Sequence, residues 1–247
     1  MPKQRDRVAT GKKGGLPRCL SASELLEVEA QSLSNMVKLR WPAALSGWQW
    51  KLAKAMNEAK SNASLNTHLR FKAPNPRAKS NTEYHEIDLG AQIALGGTPL
   101  VTYFVAIGEK DQTETLKLRR KIHFDLQKTF DSAEPKPMLH LQLGGGISEP
   151  LLAEGYIMAD FAHLYPDLEK PRISCLPQSF ALLIHQALLE YHRTEPNIET
   201  FVKSSGWLSV VTAAEGAVMK PYFDHGSDWL GSAGTKKRSL ISRFYGV

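Results

Sequence analysis

The segment "HEIDLGAQIAL", residues 85–95, is where apolar side chains begin to recur at every second position. One face of the segment carries His85, Ile87, Leu89, Ala91, Ile93 and Leu95. The opposite face carries Glu86, Asp88 and Gln92. This alternation is typical of a strand that lies with one side against a core, so the segment predicts a sheet with an apolar face and a polar face.

Three more strands are predicted after this one. They are "PLVTYFVAIG" at 99–108, "LKLRRKIHFDLQ" at 116–127 and "PMLHLQLGG" at 137–145. A Gly96-Gly97 turn and the polar residues 109–114 provide short connections, which favour antiparallel neighbours. We therefore predict a four-stranded, mainly antiparallel meander sheet.

Two helices are predicted before the sheet, and each begins with a capping box and a hydrophobic staple. The residues that give these signals are Ser21, Glu24, Leu20 and Leu25 for the first helix, and Ser46, Gln49, Leu45 and Trp50 for the second. The first helix is expected to end near Arg40, before Pro42, and the second near Lys60. Residues 72–82, rich in Pro, Asn and Ser, predict the loop that leads into the sheet.

The chain beyond the sheet is predicted to be mainly helical. A short helix is expected around Ala159–Leu164, and Pro177 opens an apolar helix that should pack on the sheet as the core helix. Residues 196–219 predict a helix broken near Gly206. The fold class is therefore α+β, with an N-terminal helical hairpin, the meander sheet, and C-terminal helices packed on one face. Residues 19–247 form a single domain in this prediction, and residues 1–18 a disordered basic tail.

Positive charge is concentrated in two short segments. Residues 1–18 carry six Lys or Arg side chains against one Asp, and Lys236, Lys237 and Arg238 add three more cations. Because the whole chain has a net charge of +6, the remaining residues sum to −2. This separation predicts that the two basic segments contact phosphate or an acidic partner.

Composition limits the cellular setting. No apolar run reaches the roughly 18 residues that a transmembrane helix needs, and the basic N-terminus is not followed by an apolar signal region. The chain has two cysteines, Cys19 and Cys175, which is too few for a disulfide framework. These features predict a reduced, cytoplasmic protein without membrane contact.

The strand at 116–127 carries the candidate site residues. Leu116, Leu118, Ile122, Phe124 and Leu126 are predicted to face the core helix, and Lys117, Arg119, Lys121, His123, Asp125 and Gln127 to face the other way. Arg120 stands at a position where the alternation predicts an apolar residue, so it is expected at an edge of the sheet or in an ion pair. Pairing with the next strand would bring His140 near His123, on the face that also carries Glu86 and Asp88.

Three interpretations of this polar face stay open. It is a solvated face with cross-strand ion pairs, or a phosphate-binding surface, or a catalytic site. In the second interpretation Lys117, Arg119 and Lys121 act together with Lys236, Lys237 and Arg238. In the third, His123 and His140 are the acid and base of a metal-independent ribonuclease. No motif for a metal or an organic cofactor is present, and none is expected.

Residues 120–191 resemble a group of uncharacterised small bacterial proteins from multi-gene toxin–antitoxin or phage-defence cassettes. The shared motifs are "HFDLQ" at 123–127, "HLQLGG" at 140–145 and "PRISCLPQSFALLIHQALLEY" at 171–191. The resemblance implies an accessory or toxin role and supplies no catalytic residue. Two functions follow from the sequence. The first is an accessory protein that binds a partner protein, nucleic acid or both, and the second is a ribonuclease-like toxin. The oligomeric state is left open.

Overall fold

The computed structural model describes residues 20–61, 64–74, 84–95, 101–110, 113–126, 139–144, 149–158, 173–191 and 196–232. Its strands are β1 (Ser64–Pro74), β2 (Tyr84–Ala94), β3 (Val101–Lys110), β4 (Leu116–Leu126), β5 (Leu139–Leu143), β6 (Tyr156–Met158) and β7 (Ile173–Ser174). Its α-helices are α1 (Ala22–Met36), α2 (Trp48–Ser61), α3 (Glu149–Ala153), α4 (Phe180–Tyr191), α5 (Pro196–Val202) and α6 (Ser205–Ser232).

One curled sheet connects all of these strands. Its order is β1-β2-β3-β4-β5-β7 with antiparallel neighbours, and β6 pairs in parallel with the first residues of β4. The α+β class and the antiparallel succession of the four predicted strands are confirmed. The sheet is larger than predicted, since β1, β6 and β7 extend it. Residues 72–74 of the predicted loop belong to β1, where Leu65, Leu69 and Phe71 are buried against the helices.

The start of α1 is confirmed. The Glu24 N–H donates to Ser21 Oγ at 3.2 Å, and the Ser21 N–H donates to Glu24 Oε2 at 2.8 Å. These bonds satisfy backbone donors that have no partner within the helix. The helix ends at Met36, one turn before the predicted end at Arg40.

The second helix, α2, begins at Trp48, close to the predicted start, but its predicted capping box and staple are wrong. A 3₁₀ turn at Ala43–Leu45 comes first, and the Ser46 hydroxyl donates to the Ala43 carbonyl at 2.9 Å. Gln49 donates to the Val37 carbonyl at 3.1 Å and therefore holds the first turn of α2 against the end of α1. Trp50 is 61% exposed, so it is not part of a hydrophobic staple.

The main core lies between the helices and one face of the sheet, which we call the helix face. α4 is buried on most sides and packs against β2 and β3, as predicted for the core helix. It begins at Phe180 rather than at Pro177, with the Ser179 hydroxyl accepting from the Leu182 N–H at 3.3 Å. The predicted break near Gly206 falls two residues earlier, between α5 and α6.

A buried carboxyl group joins three of these elements. Glu29 of α1 is fully buried, and its Oε1 accepts from the Phe180 N–H at the start of α4 and from the Tyr103 hydroxyl of β3, both at 2.8 Å. The carboxyl group therefore caps α4 from a neighbouring helix.

Several predicted features lie outside the described residues. They are the basic tail at 1–18, Cys19, Gln127, the short helix at Ala159–Leu164, and the basic triplet Lys236, Lys237 and Arg238. Within the described ranges, no helix has both the length and the apolar character needed to cross a membrane.

Candidate functional site

The face of the sheet opposite the helices, which we call the inner face, carries an unusual number of buried polar side chains. They are Glu86, Asp88, Lys121, His123, Asp125, His140 and Gln142. Charged side chains are rarely buried unless they are paired, and buried titratable groups concentrate at functional sites. The inner face is therefore the candidate site, at the location that the sequence predicts.

A β-bulge in β4 changes which side chains reach this face. Ile107 pairs with Arg120 but Gly108 pairs with Leu118, so Arg119 is an extra residue in β4. The bulge reverses the alternation for the residues before it. Leu116 and Leu118 therefore lie on the inner face, in a small second core with Phe104, Ala106, Leu151 and Tyr156. The prediction that these two leucines face the core helix is wrong.

The same bulge separates the predicted phosphate ligands. Lys117 pairs with Glu109 on the helix-face side of β4, whereas Lys121 is on the inner face and 7% exposed. Arg119 donates through Nε to Glu109 at 2.7 Å. Lys117, Arg119 and Lys121 therefore do not share one surface. The prediction that they do is wrong, because it assumed that β4 has no bulge.

The first polar cluster of the inner face, the Asp88 cluster, was not found from the sequence. Asp88 is 0% exposed, and Arg70 Nε donates to its Oδ1 at 2.9 Å. The Tyr156 hydroxyl donates to Oδ2, and His68 Nε2 contacts Oδ1. The Glu154 carboxylate completes the cluster, with Oε1 at 3.4 Å from His68 Nδ1 and Oε2 at 3.2 Å from Arg70 Nη1.

The charge of Asp88 is stabilised by these partners. Burial alone would raise the pKa of Asp88, but its hydrogen-bond partners, His68 foremost, outweigh burial and lower the pKa below its ordinary value. Burial and the neighbouring Asp88 carboxylate together raise the pKa of Tyr156. Tyr156 is therefore a hydrogen-bond donor, and Asp88 an acceptor, throughout the physiological range.

Small residues allow this cluster to form. Tyr156 of β6 reaches Asp88 by crossing β3 above Gly108, where an added Cβ would lie 2.4 Å from the tyrosine ring. At Gly90 an added Cβ would lie 2.0 Å from the Phe104 ring, which stacks on His68 with 6.5 Å between centroids. Glycine at these two positions therefore makes room for rings on the inner face.

We expect Gly108→Ala to destabilise the protein by about 1–3 kcal/mol, because the new methyl group displaces a buried tyrosine from Asp88. The matched control is Gly216→Ala on the exposed side of α6, where an added Cβ meets nothing within 4 Å. That change should stabilise the protein by up to about 1 kcal/mol, since Ala favours helix. Urea unfolding of both variants checks the opposite signs, and equal effects would contradict the crossing of Tyr156 over Gly108.

The second polar cluster, the Asp125 cluster, contains the predicted histidine pair. His123 and His140 both direct Nε2 at Asp125 Oδ2, at 3.5 and 3.8 Å, and Thr102 donates to Oδ1 at 2.7 Å. His140 lies opposite Asp125 in the register, and His123 lies two residues before it on the same strand. The two imidazoles are therefore diagonal neighbours around one carboxylate, as the strand pairing predicted.

Access to this pair is narrow. His140 is 1% exposed and His123 is 9% exposed. A carboxylate between two imidazoles fixes their orientation, and an imidazole can exchange a proton near neutral pH. The arrangement is therefore chemically capable of acid–base work, with His123 as the member that an incoming molecule would reach first.

Sequence reasoning did not select His68, Arg70, Glu154 or Tyr156. The signal for the first two was present, because His68 and Arg70 alternate with Leu65, Leu69 and Phe71 in β1. Glu154 and Tyr156 gave no comparable signal, since they reach the site through the parallel pairing of β6 with β4.

In the part of the chain with described positions, no group of three or more His, Cys, Asp or Glu side chains is arranged to hold a metal ion. No protein-family model, no curated protein and no solved structure matches the chain, so the chemistry of the two clusters rests on their own geometry.

Proposed function

We propose that the protein is an accessory binding protein of a bacterial multi-gene system, with an anti-phage defence system as the favoured setting. It contacts nucleic acid, a partner protein or both through two basic segments. The observation that carries this proposal is the separation of charge. Residues 1–18 have a net charge of +5 and residues 236–238 of +3, against −2 for the rest of the chain. Such segments attract a phosphate backbone or an acidic surface without needing a cleft.

The burial of the inner face favours these segments over the sheet as the contact surface. Lys121 is enclosed beside the Asp125 cluster, so it is poorly placed to meet a large ligand. Lys117 and Arg119 are more accessible, but both lie beside Glu109, which offsets part of their charge. In this proposal the two residues assist binding rather than provide it.

Charge-neutralised full-length variants test the proposal. In one variant the six Lys and Arg residues of 1–18 become Gln, and in a second Lys236, Lys237 and Arg238 become Gln. Binding to labelled nucleic acid is measured across a salt series, and each neutralised segment should reduce the slope of log K against log salt. Where nucleic acid does not bind, capture of a partner encoded beside the gene should depend on the same residues. Unchanged slopes and unchanged partner capture would rule the proposal out.

A second candidate function is a metal-independent ribonuclease of the toxin type. The observation that favours it is the placement of His123 and His140 around Asp125 Oδ2. One imidazole would take the proton of an attacking 2′-hydroxyl, and the other would protonate the departing 5′ oxygen.

For this second function we expect RNA cleavage that persists in EDTA and falls about 100-fold in His123→Gln, because an acid–base partner typically contributes at least that factor. His85→Gln is the matched control, since His85 lies on the helix face of β2 and outside both clusters. Gel analysis of a labelled RNA measures both variants. Absence of cleavage, or equal loss in the two variants, excludes the ribonuclease function.

A further inference from the structure

The end of α1 and the start of α2 form an exposed surface with one sign of charge. Residues 37–54 contain Lys38, Arg40, Lys51 and Lys54 and no Asp or Glu. Lys38, Arg40 and Lys54 are exposed, and Lys51 is half-buried. These four cations lie outside the two basic segments already described, so they form a third concentration of positive charge.

Trp50 is the exposed aromatic residue of this surface. Its side chain is 61% exposed, while the neighbouring Trp41 and Trp48 are buried in an aromatic cluster with Phe201, Trp207 and Phe71. Lys51 Nζ lies 5.9 Å from the centroid of the Trp50 ring, and Lys54 follows one turn later on the same side of α2. An indole that is mostly in solvent buries little apolar area for the fold, so its position is explained better by a ligand than by packing.

A side-chain hydrogen bond joins the segment that carries Lys38 and Arg40 to the start of α2. Gln49 Nε2 donates to the Val37 carbonyl at 3.1 Å, so the backbone next to Lys38 lies against the first turn of α2, which also carries Trp50. This first turn contains no acidic side chain, and the N-terminal end of a helix carries a partial positive charge. The Glu58 carboxylate lies 3.8 Å from Lys54 in an exposed ion pair, which is weak enough for a phosphate to replace.

We infer that this surface, residues 37–54, binds single-stranded nucleic acid. A base stacks on Trp50, and Lys38, Arg40, Lys51 and Lys54 contact the phosphates on either side. Stacking on an exposed aromatic side chain within a cationic groove is the way in which proteins hold single strands without reading their sequence. A duplex hides its base faces and would gain only the phosphate contacts. The inference rests on the nucleic-acid part of the proposed function and names the site and the type of strand.

The test uses the full-length protein and a fluorescein-labelled single-stranded RNA of about 16 nucleotides, long enough for most single-strand-binding domains. Fluorescence polarisation gives Kd at several salt concentrations. Trp50→Ala should raise Kd about tenfold, because base stacking on an aromatic ring carries that order of affinity, and Trp50→Tyr should retain most of the binding. The triple variant Lys38→Gln/Arg40→Gln/Lys54→Gln should reduce the salt slope by about 2, as expected for three lost single-strand phosphate contacts.

The control surface is on α5 and α6. Phe223 of α6 is 54% exposed, and two exposed cations are used with it, Lys203 between α5 and α6 and Lys220 on α6. Phe223→Ala and Lys203→Gln/Lys220→Gln should leave Kd and the salt slope unchanged. Circular dichroism and thermal melting of each variant show that the fold is retained.

The outcomes separate this inference from the proposed function. If the variants of residues 37–54 bind like the wild type while the charge-neutralised 1–18 variant does not, the inference is overturned and the proposed function stands. If the full-length protein does not bind RNA at any salt concentration, the inference is overturned together with the nucleic-acid part of the proposed function. Binding to vesicles that contain phosphatidylserine, without binding to RNA, would overturn it in favour of a membrane surface.

Discussion

Asp88→Asn is expected to lower the free energy of unfolding by about 3–5 kcal/mol, the usual loss when one member of a buried charge cluster is removed. Asp88 is fully buried, accepts hydrogen bonds from Arg70 Nε and the Tyr156 hydroxyl, and is in contact with His68 Nε2. An amide at this position carries no charge to balance Arg70. Its NH2 group is a donor, and it would face a neighbouring group that also donates. The loss is therefore mainly that of leaving neighbouring groups buried without their acceptor.

Urea unfolding at pH 7 measures this loss, and Asp224→Asn is the matched control. The Asp224 carboxylate lies 2.8 Å from Lys220 Nζ, but both side chains are exposed. Exposed pairs of this kind contribute at most about 1 kcal/mol. A difference of less than about 1 kcal/mol between the two variants would contradict the Asp88 cluster as a buried, mutually dependent unit.

A double variant tests whether the cluster acts as a unit. In the wild type, Arg70→Gln leaves Asp88 without its guanidinium partner, whereas in Asp88→Asn that partnership is already lost. We therefore expect Arg70→Gln to cost less in the Asp88→Asn background, by a coupling energy of about 0.5–3 kcal/mol. Strictly additive losses would mean that the 2.9 Å contact between Arg70 Nε and Asp88 Oδ1 contributes little.

The apolar pattern predicts β2, β3 and β4 because the helix face of each contributes side chains to the main core, whereas in β5 Leu139 packs against that core and Leu143 is 42% exposed. β1 has the same alternation, with Leu65, Leu69 and Phe71 on the helix face. The prolines and asparagines at its end favour a loop, and for this reason the last residues of β1 were predicted to belong to the loop. Local turn chemistry and strand pattern therefore give different answers at this boundary, and pairing with β2 decides between them.

The bulge at Arg119 could not be predicted from hydrophobic pattern. Leu116 and Leu118 occupy the same alternate positions as Ile122 and Phe124, so the sequence shows one apolar face with a single break at Arg120. The inner face of the sheet is itself apolar near β6, and the two leucines find a core there after the bulge reverses them. The only local signal is Arg120, which stands in the apolar phase and is exposed in the structure.

The Asp125 cluster could be predicted from the sequence, whereas the Asp88 cluster could not. His123, Asp125 and His140 lie on neighbouring strands, so strand pairing was enough to bring them together. The Asp88 cluster joins residues 68, 88 and 156, whose proximity depends on the parallel pairing of β6 and on glycine at position 108. Contacts of that kind follow from the tertiary fold rather than from any local pattern.

The second large effect is expected at Glu29, whose titration links stability to pH. Burial raises the pKa of this carboxyl group from 4.5 to about 7, although the Phe180 N–H and the Tyr103 hydroxyl act in the opposite direction. Glu29 Oε2 has no hydrogen-bond partner among the described residues. A protonated Glu29 is therefore favoured in the folded protein at pH values where an unfolded chain has already lost the proton.

The sign of the pH dependence follows from this raised pKa. The contribution of Glu29 to stability is complete below pH 4.5, is lost progressively as pH rises to about 7, and changes no further above that. This rise in the pKa of Glu29 corresponds to about 3 kcal/mol of folding free energy, at about 1.4 kcal/mol for each unit of pKa.

Glu29→Gln should remove this dependence, because Gln does not titrate and its carbonyl oxygen can still accept from Phe180 and Tyr103. We expect the variant to match the wild type within about 1 kcal/mol at pH 4.5, where Glu29 is protonated, and to be more stable by about 3 kcal/mol at pH 8. Urea unfolding at half-unit steps between these limits gives the difference at each pH. Glu27→Gln, at an exposed position on the same helix, should follow the wild-type profile. A difference between Glu29→Gln and the wild type that stays constant from pH 4.5 to 8 would show that Glu29 keeps one protonation state across this range, and that its carboxyl group caps α4 without coupling the fold to pH.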